Sequence, residues 1–260
     1  MKKIKIIAIF IFLFCIFCAQ NAQNEQNRAF ADKNFEYHLY TPESFQKEKS
    51  QNAQFEDGSN VLFIMDFSNS MNEKMGEKTK LQIALETLTV ILPKIPDSVK
   101  TGLRVYGHKV GFTYLDGCMA SKLAVPFGTK NADRILGALY NTRAMGWTPI
   151  TYSLKQAVNA DFAGVQGKKH IVLLSDGGEN CDESPCTYAI ELMKIRDDIS
   201  IDVIAFDIND IDANNQLRCA AVTTRGKFYS ANTPYQLLDS LFESLNIDKS
   251  VKGTIKVNEN

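Results

Sequence analysis

The sequence predicts an α/β fold: a three-layer sandwich in which helices cover both faces of a mostly parallel six-stranded sheet with one short antiparallel edge strand. Apolar strand-like segments alternate with segments of helical periodicity from about residue 60 onward. The first strand, "VLFIM" at 61–65, is apolar at every position, which is typical of a strand buried on both faces. Alternation of strands and helices at these lengths favours parallel strands joined by helical crossovers.

Six apolar segments bounded by turn residues are predicted as strands. They lie at 61–65, 101–108, 121–128, 168–178, 200–208 and 227–231. The stretch between the second and third strands has no helical periodicity. These two strands are therefore expected to be antiparallel neighbours instead of a crossover pair.

Six segments are predicted as helices from the spacing of their apolar residues. They lie at 78–96, 131–143, 149–162, 184–197, 214–226 and 233–246. Asn131 and Ser184 are the expected N-caps of the second and fourth helices, with Pro185 at the first helical position. Thr233 and Gln236 are expected to form a capping box at the last helix.

The N-terminus has the pattern of a signal peptide. Lysines at 2, 3 and 5 precede about fourteen apolar residues, 6–19, a run too short to span a bilayer comfortably. Residues 1–22 are therefore predicted to be a cleaved signal peptide, and an uncleaved anchor is the alternative. Residues 23–58 have linker composition with one weak strand pattern at 35–42, residues 59–247 form the domain, and 248–260 form a polar tail.

Charge and composition exclude some classes of partner. Loss of the three leader lysines leaves 26 basic and 30 acidic residues, a formal charge of −4. The basic residues are scattered and form no electrostatic footprint for nucleic acid. We expect an exported monomeric domain that is periplasmic, extracellular or associated with the cell envelope. Its only link to a membrane would be an uncleaved anchor.

The cysteines agree with export. Cys15 and Cys18 lie in the leader, and an even number remains in the predicted domain. The spacing of these four does not fit a zinc site, so disulfides are expected in an oxidising compartment. The first choice is Cys118–Cys181 with Cys186–Cys219, because this pairing links neighbouring loops at the site-bearing edge of the sheet. The second choice is Cys181–Cys186 with Cys118–Cys219.

Oxygen-bearing side chains follow two of the predicted strands. The first strand ends in Asp66, Ser68 and Ser70, the fourth ends in Asp176, and Thr148 lies just before a helix. Ligands bind beyond the carboxyl ends of the strands in open α/β sheets. Two carboxylates and three hydroxyls suit a hard cation such as Mg²⁺ or Mn²⁺, and Ca²⁺ suits them less well.

Residues 60–247 resemble the von Willebrand factor type A domain, and these five residues resemble its metal-ion-dependent adhesion site. The family's Asp-x-Ser-x-Ser falls on residues 66–70, its loop threonine on Thr148 within "GWTP", and its second acid on Asp176 within "LLSDGGE". The resemblance implies direct coordination by the serines, and by Thr148 when a ligand is bound. It also implies that an acidic residue of a partner protein completes the coordination. Asn69 stands where many members have glycine, and asparagine tolerates a left-handed backbone.

Other interpretations of single residues stay open at this stage. Thr148 could be the N-cap of a helix whose first residue is Pro149, and Asp176 could belong to a glycine turn. Four further polar residues in these loops are read as structural, namely Asp182, Glu183, Asp207 and His108.

Three classes of function follow from this pattern. The favoured one is a metal-dependent protein-binding module without catalysis. A metal-assisted hydrolase is the second, but two aspartates supply little charge to the ion and His108 is the only candidate base. The third is a structural domain in which a cation only stabilises loops.

Overall fold

The computed structural model describes residues 59–247. The predicted leader, linker and tail, and the weak strand pattern at 35–42, lie outside them. The strands are β1 Asn60–Asp66, β2 Lys74–Met75, β3 Lys78–Thr79, β4 Lys100–Tyr106, β5 Ser121–Gly128, β6 Lys169–Ser175, β7 Ile199–Phe206 and β8 Phe228–Ala231. The α-helices are α1 Lys80–Ile91, α2 Tyr114–Cys118, α3 Ala132–Tyr140, α4 Ile150–Gln156, α5 Pro185–Met193, α6 Ile211–Thr223 and α7 Pro234–Ser244. Shorter turns are 3-10 at Asn69–Asn72 and Leu92–Lys94 and π-helical at Ala157–Asp161.

Six of these strands form one sheet in the order β5-β4-β1-β6-β7-β8. All neighbours are parallel except β4 and β5, which are antiparallel as predicted. The edge strand β5 has eight residues, as many as any other strand, so it is not short. From β1 the chain continues to β4 and β5 at one edge of the sheet, and from β6 it continues to β7 and β8 at the other edge. The strand order therefore reverses between the central strands β1 and β6.

Helices cover both faces of the sheet, because alternate residues of the central strands point to opposite sides. On one face Val61, Phe63 and Met65 pack with apolar residues of α1, α3 and α7. On the other face Leu62 and Ile64 pack with apolar residues of α4, α5 and α6. The three-layer prediction is therefore confirmed. Within residues 59–247 no helix has the length and apolar character needed to cross a membrane.

Local capping explains where several helices begin. Thr79 and Gln82 form a reciprocal capping box at α1, with N···O distances of 3.1 and 2.8 Å. Ser184 caps α5 as predicted. Asn131 precedes α3, but its side chain donates to the carbonyls of Thr101 and Pro126 instead of capping the helix. It therefore ties the antiparallel edge of the sheet to α3.

The shortest elements were not predicted. The hairpin β2–β3 has two residues in each strand, and α2 has five residues. Segments this short carry no periodic signal. The sequence predicts α6 at 214–226, whereas the helix begins at Ile211 because the Asp210 carboxylate accepts a hydrogen bond from Ala213 N at 2.9 Å.

Two disulfides have the first-choice pairing. Cys118 and Cys181 are bonded with Cα atoms 5.5 Å apart, and Cys186 and Cys219 with Cα atoms 5.1 Å apart. The first bridge joins α2 to the loop that follows β6. Cys219 is the ninth residue of α6, not an early one, so the second bridge ties α5 to the body of α6 instead of to the sheet edge.

We expect non-reducing peptide mapping of the protein to recover these two linkages. Each bridge closes a long loop of the unfolded chain, so its removal should lower the free energy of unfolding by about 2–4 kcal/mol. Urea unfolding of Cys118→Ser with Cys181→Ser, and of Cys186→Ser with Cys219→Ser, measures the two contributions. Recovery of Cys181–Cys186 would contradict the assignment.

Candidate functional site

The candidate site lies at the carboxyl ends of the two central parallel strands. Asp66 is the last residue of β1 and is fully buried, and Asp176 directly follows β6. In the register of the sheet Met65 pairs with Leu174. Asp66 follows Met65 by one residue and Asp176 follows Leu174 by two, so the two acids differ by one residue in their positions along neighbouring strands. The parallel arrangement therefore brings them to one edge, as predicted.

A chain of hydrogen bonds joins four of the five predicted residues. Ser68 Oγ lies 2.9 Å from Ser70 Oγ, and Ser70 Oγ donates to Asp176 Oδ1 at 2.7 Å. Asp66 Oδ1 accepts a hydrogen bond from Ser68 N at 2.6 Å, which orients the loop after β1. The two carboxylates and two hydroxyls thus form one polar cluster at the sheet edge.

Thr148 reaches this edge through the loop before α4. Gly146 forms a parallel bridge with Ser68, and its carbonyl accepts from Asn69 N at 3.0 Å. Asn69 opens the 3-10 turn and does not adopt the left-handed backbone that its family position suggested. The loop carrying Thr148 is therefore attached directly to the Asp-x-Ser-x-Ser segment.

The capping interpretation of Thr148 is wrong. Pro149 occupies the N-cap position of α4, and Thr148 lies outside the helix. Thr151 N at the start of the helix donates to Glu179 Oε2 at 2.6 Å, so a carboxylate from another loop serves the helix end. Asn180 Oδ1 accepts from Thr148 N at 2.8 Å. The Thr148 hydroxyl is consequently not used for capping.

Two residues that sequence reasoning missed support Asp66. Tyr106 and Ser175 are both fully buried, and their hydroxyls lie 2.9 and 2.6 Å from Asp66 Oδ2. Burial raises the pKa of Asp66, and these hydrogen bonds oppose that rise. Tyr106 appears in the sequence as one more apolar residue of a strand, so only its position opposite Asp66 in the sheet reveals its role.

A third missed residue is Lys80, the first residue of α1. Its side chain is 6% exposed, and its Nζ lies 3.2 Å from Asp176 Oδ2, 3.0 Å from Glu73 Oε2 and 3.4 Å from Asp207 Oδ2. The sequence contains one indication of this role. A lysine in the first turn of a helix is unfavourable for the helix dipole, so its presence there suggests a nearby acidic partner. The ammonium group partly neutralises the acidic cluster.

The residues read as structural keep structural contacts. Asp182 accepts a hydrogen bond from the Tyr114 hydroxyl, Glu183 pairs with Lys155, and Asp207 pairs with Lys80. Burial and nearby lysines lower the pKa of His108 to about 4, so its imidazole is neutral at pH 7.

The donor set fits a hard divalent cation. All candidate side-chain donors are oxygens, two of them on carboxylates whose pKa values are raised by burial. A cation would offset the cost of burying these charges. No group of three or more His, Cys, Asp or Glu side chains that could hold a metal occurs within residues 59–247, so hydroxyl groups would have to complete the coordination.

Comparison with known proteins gives the class of this fold. The family model of the von Willebrand factor type A domain matches residues 61–179. Von Willebrand factor type A from Catenulispora acidiphila superimposes with a TM-score of 0.57 at 18% identity, over 73% of this chain and 42% of that one. Residues 59–247 thus have the fold of a von Willebrand factor type A domain.

Two further relatives are informative. Protein YwmC of Bacillus subtilis (strain 168) is 27% identical over 197 residues, which are 74% of this chain and 85% of YwmC. Proximal thread matrix protein 1 of the mussel byssus, solved with a zinc-occupied MIDAS motif, has a TM-score of 0.56 at 18% identity over 72% of this chain and 44% of that one. The chain spans less than half the length of either solved protein, and these likenesses show the fold.

We predict that Asp176 makes the metal-free domain less stable as the pH rises. Burial, and then the charge of Asp66, raise the pKa of Asp176 to about 6 from an ordinary value of 3.8. The folded state therefore binds a proton more tightly than the unfolded state, and about 3 kcal/mol of stability is lost between about pH 4 and 6. In EDTA, the Asp176→Asn variant should gain this amount relative to wild type across that range.

Urea unfolding at several pH values measures the difference. Asp133→Asn, at an exposed position in α3, is the control and should differ from wild type by less than about 1 kcal/mol across this range. A difference between Asp176→Asn and wild type that stays constant with pH would contradict the assignment.

We also predict that Lys80→Met is strongly destabilising. It leaves the buried Asp176 carboxylate without its cationic partner, which typically costs about 3–5 kcal/mol. Lys78→Met is the matched control, because Lys78 forms an exposed pair with Glu86 and should cost less than about 1 kcal/mol. Equal losses in the two variants, measured by urea unfolding, would show that Lys80 has no special role.

Proposed function

We propose that this protein is an exported protein-binding module without enzymatic activity, which docks an acidic residue of a partner through a divalent cation. The proposed ligands are Asp66, Ser68, Ser70, Thr148 and Asp176. The observation that carries the proposal is the continuous oxygen cluster from Ser68 through Ser70 to Asp176, with Asp66 hydrogen-bonded beneath it.

Mg²⁺ or Mn²⁺ is the proposed cation. Hydroxyl and carboxylate oxygens are hard donors, whereas zinc prefers nitrogen and sulfur ligands. The mussel protein has zinc in its MIDAS motif, so zinc belongs in every binding test. Three neutral hydroxyls and two acids leave the ion with little excess negative charge around it, and an external carboxylate then becomes a favourable ligand.

Thr148 is the proposed switch between the free and the ligand-bound arrangement. Its backbone is held by Asn180 and its helix is capped by Glu179, so the hydroxyl has no capping duty. A module of this kind needs no base or nucleophile. His108, the one candidate base, is neutral at pH 7, and no described hydrogen bond or ion pair within residues 59–247 links its side chain to Asp66 or Asp176.

Export is the proposed setting. Two disulfides are typical of proteins in oxidising compartments. The leader-like pattern of residues 1–22 points the same way. A partner outside the cytoplasm, presenting an exposed Asp or Glu, follows from the two together.

The metal assignment is tested by calorimetry with Mg²⁺, Mn²⁺ and Zn²⁺. Asp66→Ala should abolish binding of the cation, whereas Asp133→Ala should not change it, because Asp133 is an exposed acid outside the cluster. A bound ion stabilises the folded state only through its binding free energy. The Asp66→Ala variant should therefore lose this contribution and remain folded. Equal affinities in wild type and Asp66→Ala would reject the site.

The docking role is tested by comparing Thr148→Ala with Thr148→Ser. Serine retains a hydroxyl at this position and alanine does not. With acetate or a short Asp-containing peptide as the probe, Thr148→Ala should weaken Mg²⁺-dependent binding about tenfold or more, and Thr148→Ser should keep most of it. If both variants bind the probe as tightly as wild type, and if EDTA does not change this binding, the cation has only a structural role.

A further inference from the structure

An exposed apolar surface lies beside the candidate metal site. We call it the apolar rim, and it consists of residues 109–119 and 145–147. Thirteen large apolar side chains are exposed within residues 59–247, and these two short segments hold seven of them. They are Val110, Phe112, Tyr114, Leu115, Met119, Met145 and Trp147. The side chain of Phe112 is fully exposed to solvent, so it is not part of the hydrophobic core.

The two segments of the rim are in direct contact. The backbone of Gly146 lies so close to the carbonyl of Lys109 that a side chain at this glycine would clash with it. Gly117 lies equally close to the indole ring of Trp147. The rings of Tyr114 and Trp147 pack edge to face with centroids 5.5 Å apart. The two segments therefore lie side by side, with Tyr114 and Trp147 in contact between them.

The rim is held in place from below. Cys118 is bonded to Cys181, and the Tyr114 hydroxyl donates to Asp182 Oδ2 at 2.8 Å. Both partners lie in the loop that follows Asp176. An apolar surface that is exposed and anchored in this way is typical of an interaction site.

The rim is continuous with the candidate metal site. Trp147 directly precedes Thr148, and Gly146 bridges to Ser68. Any partner whose carboxylate reached a cation at Thr148 and Ser68 would therefore also contact the rim.

One cationic side chain in the rim and one beside it suit an acidic partner. Lys109 and Arg143 are exposed, and among the described residues neither forms an ion pair. The nearby acids are Asp116 in the rim and Asp182, which keeps its charge while it accepts a hydrogen bond from the Tyr114 hydroxyl. A bound divalent cation would offset the charges of Asp66 and Asp176, and Lys109 and Arg143 would add to the attraction for an acidic segment.

We infer that the apolar rim is the specificity surface of the metal site, and that it binds a protein segment in which bulky apolar side chains flank the metal-binding acidic residue. This inference rests on the proposed function, since the cation supplies the anchor for the acid. The apolar side chains would then distinguish such a segment from the many other exposed acids in the surroundings.

The experiment uses the protein expressed with its own leader and with its cysteines oxidised. A library of random 12-residue peptides displayed on phage is selected against it in Mg²⁺. The expected consensus contains one Asp or Glu with at least two large apolar residues close to it. Binding of a synthetic consensus peptide is then measured through the fluorescence of Trp147, the one tryptophan of the chain.

The test variant is Phe112→Ser with Leu115→Ser, and its matched control is Ile195→Ser with Ile211→Ser. Both pairs are exposed apolar residues, but the control pair lies outside the rim. Loss of two apolar contacts should weaken the peptide about tenfold or more in the test variant and leave the control within about twofold of wild type. Thermal unfolding checks that both variants remain folded.

The possible failures can be told apart. Selected peptides that carry an acid but bind the test variant as tightly as wild type would overturn the rim inference and leave the metal docking intact. Apolar peptides that bind equally in EDTA and to Thr148→Ala would reject the proposed function and this inference with it. If light scattering shows a dimer of the wild type that disappears in the test variant, the rim binds a second copy of the chain instead. If wild type binds phosphatidylglycerol vesicles and the test variant does not, the rim binds a membrane instead. A selection without any consensus would also overturn it.

Discussion

The burial of two carboxylates at the ends of adjacent parallel strands is the constraint on which the rest of this structure depends. Asp66 and Asp176 cannot both be charged in an apolar edge without compensation, and each nearby feature supplies part of it. Hydroxyl groups of Tyr106 and Ser175 serve Asp66, and the Lys80 ammonium serves Asp176. The remaining imbalance is what makes a cation a favourable addition here.

The loops around this edge are joined to one another by hydrogen bonds and a disulfide. Glu179 and Asn180 hold the start of α4 and Thr148, while Gly146 holds the loop after β1. The Cys118–Cys181 bridge then joins α2 to the same loop system. The contacts of Thr148, α4 and α2 thus share the segment after Asp176, while the loop after β1 is held by Gly146.

The same coupling places chemistry and specificity side by side. A small cluster of oxygens can hold an ion and an acid, but it cannot distinguish one acidic partner from another. In the proposed docking, the exposed aromatic and aliphatic residues next to Trp147 would offer that distinction. A rigid scaffold that carries variable polar and apolar loops at one edge is a common arrangement for recognition.

The sequence by itself determined the layered α/β fold, the antiparallel pair at the edge and the position of Asp66 and Asp176 at the ends of two neighbouring strands, because apolar periodicity and strand ends are local signals. Short elements such as α2 escaped it. Only the tertiary structure decided that Lys80 and Tyr106 face the acids and that Glu179 replaces Thr148 at the start of α4. Each of these depends on contacts between residues distant in the chain, which no local pattern encodes.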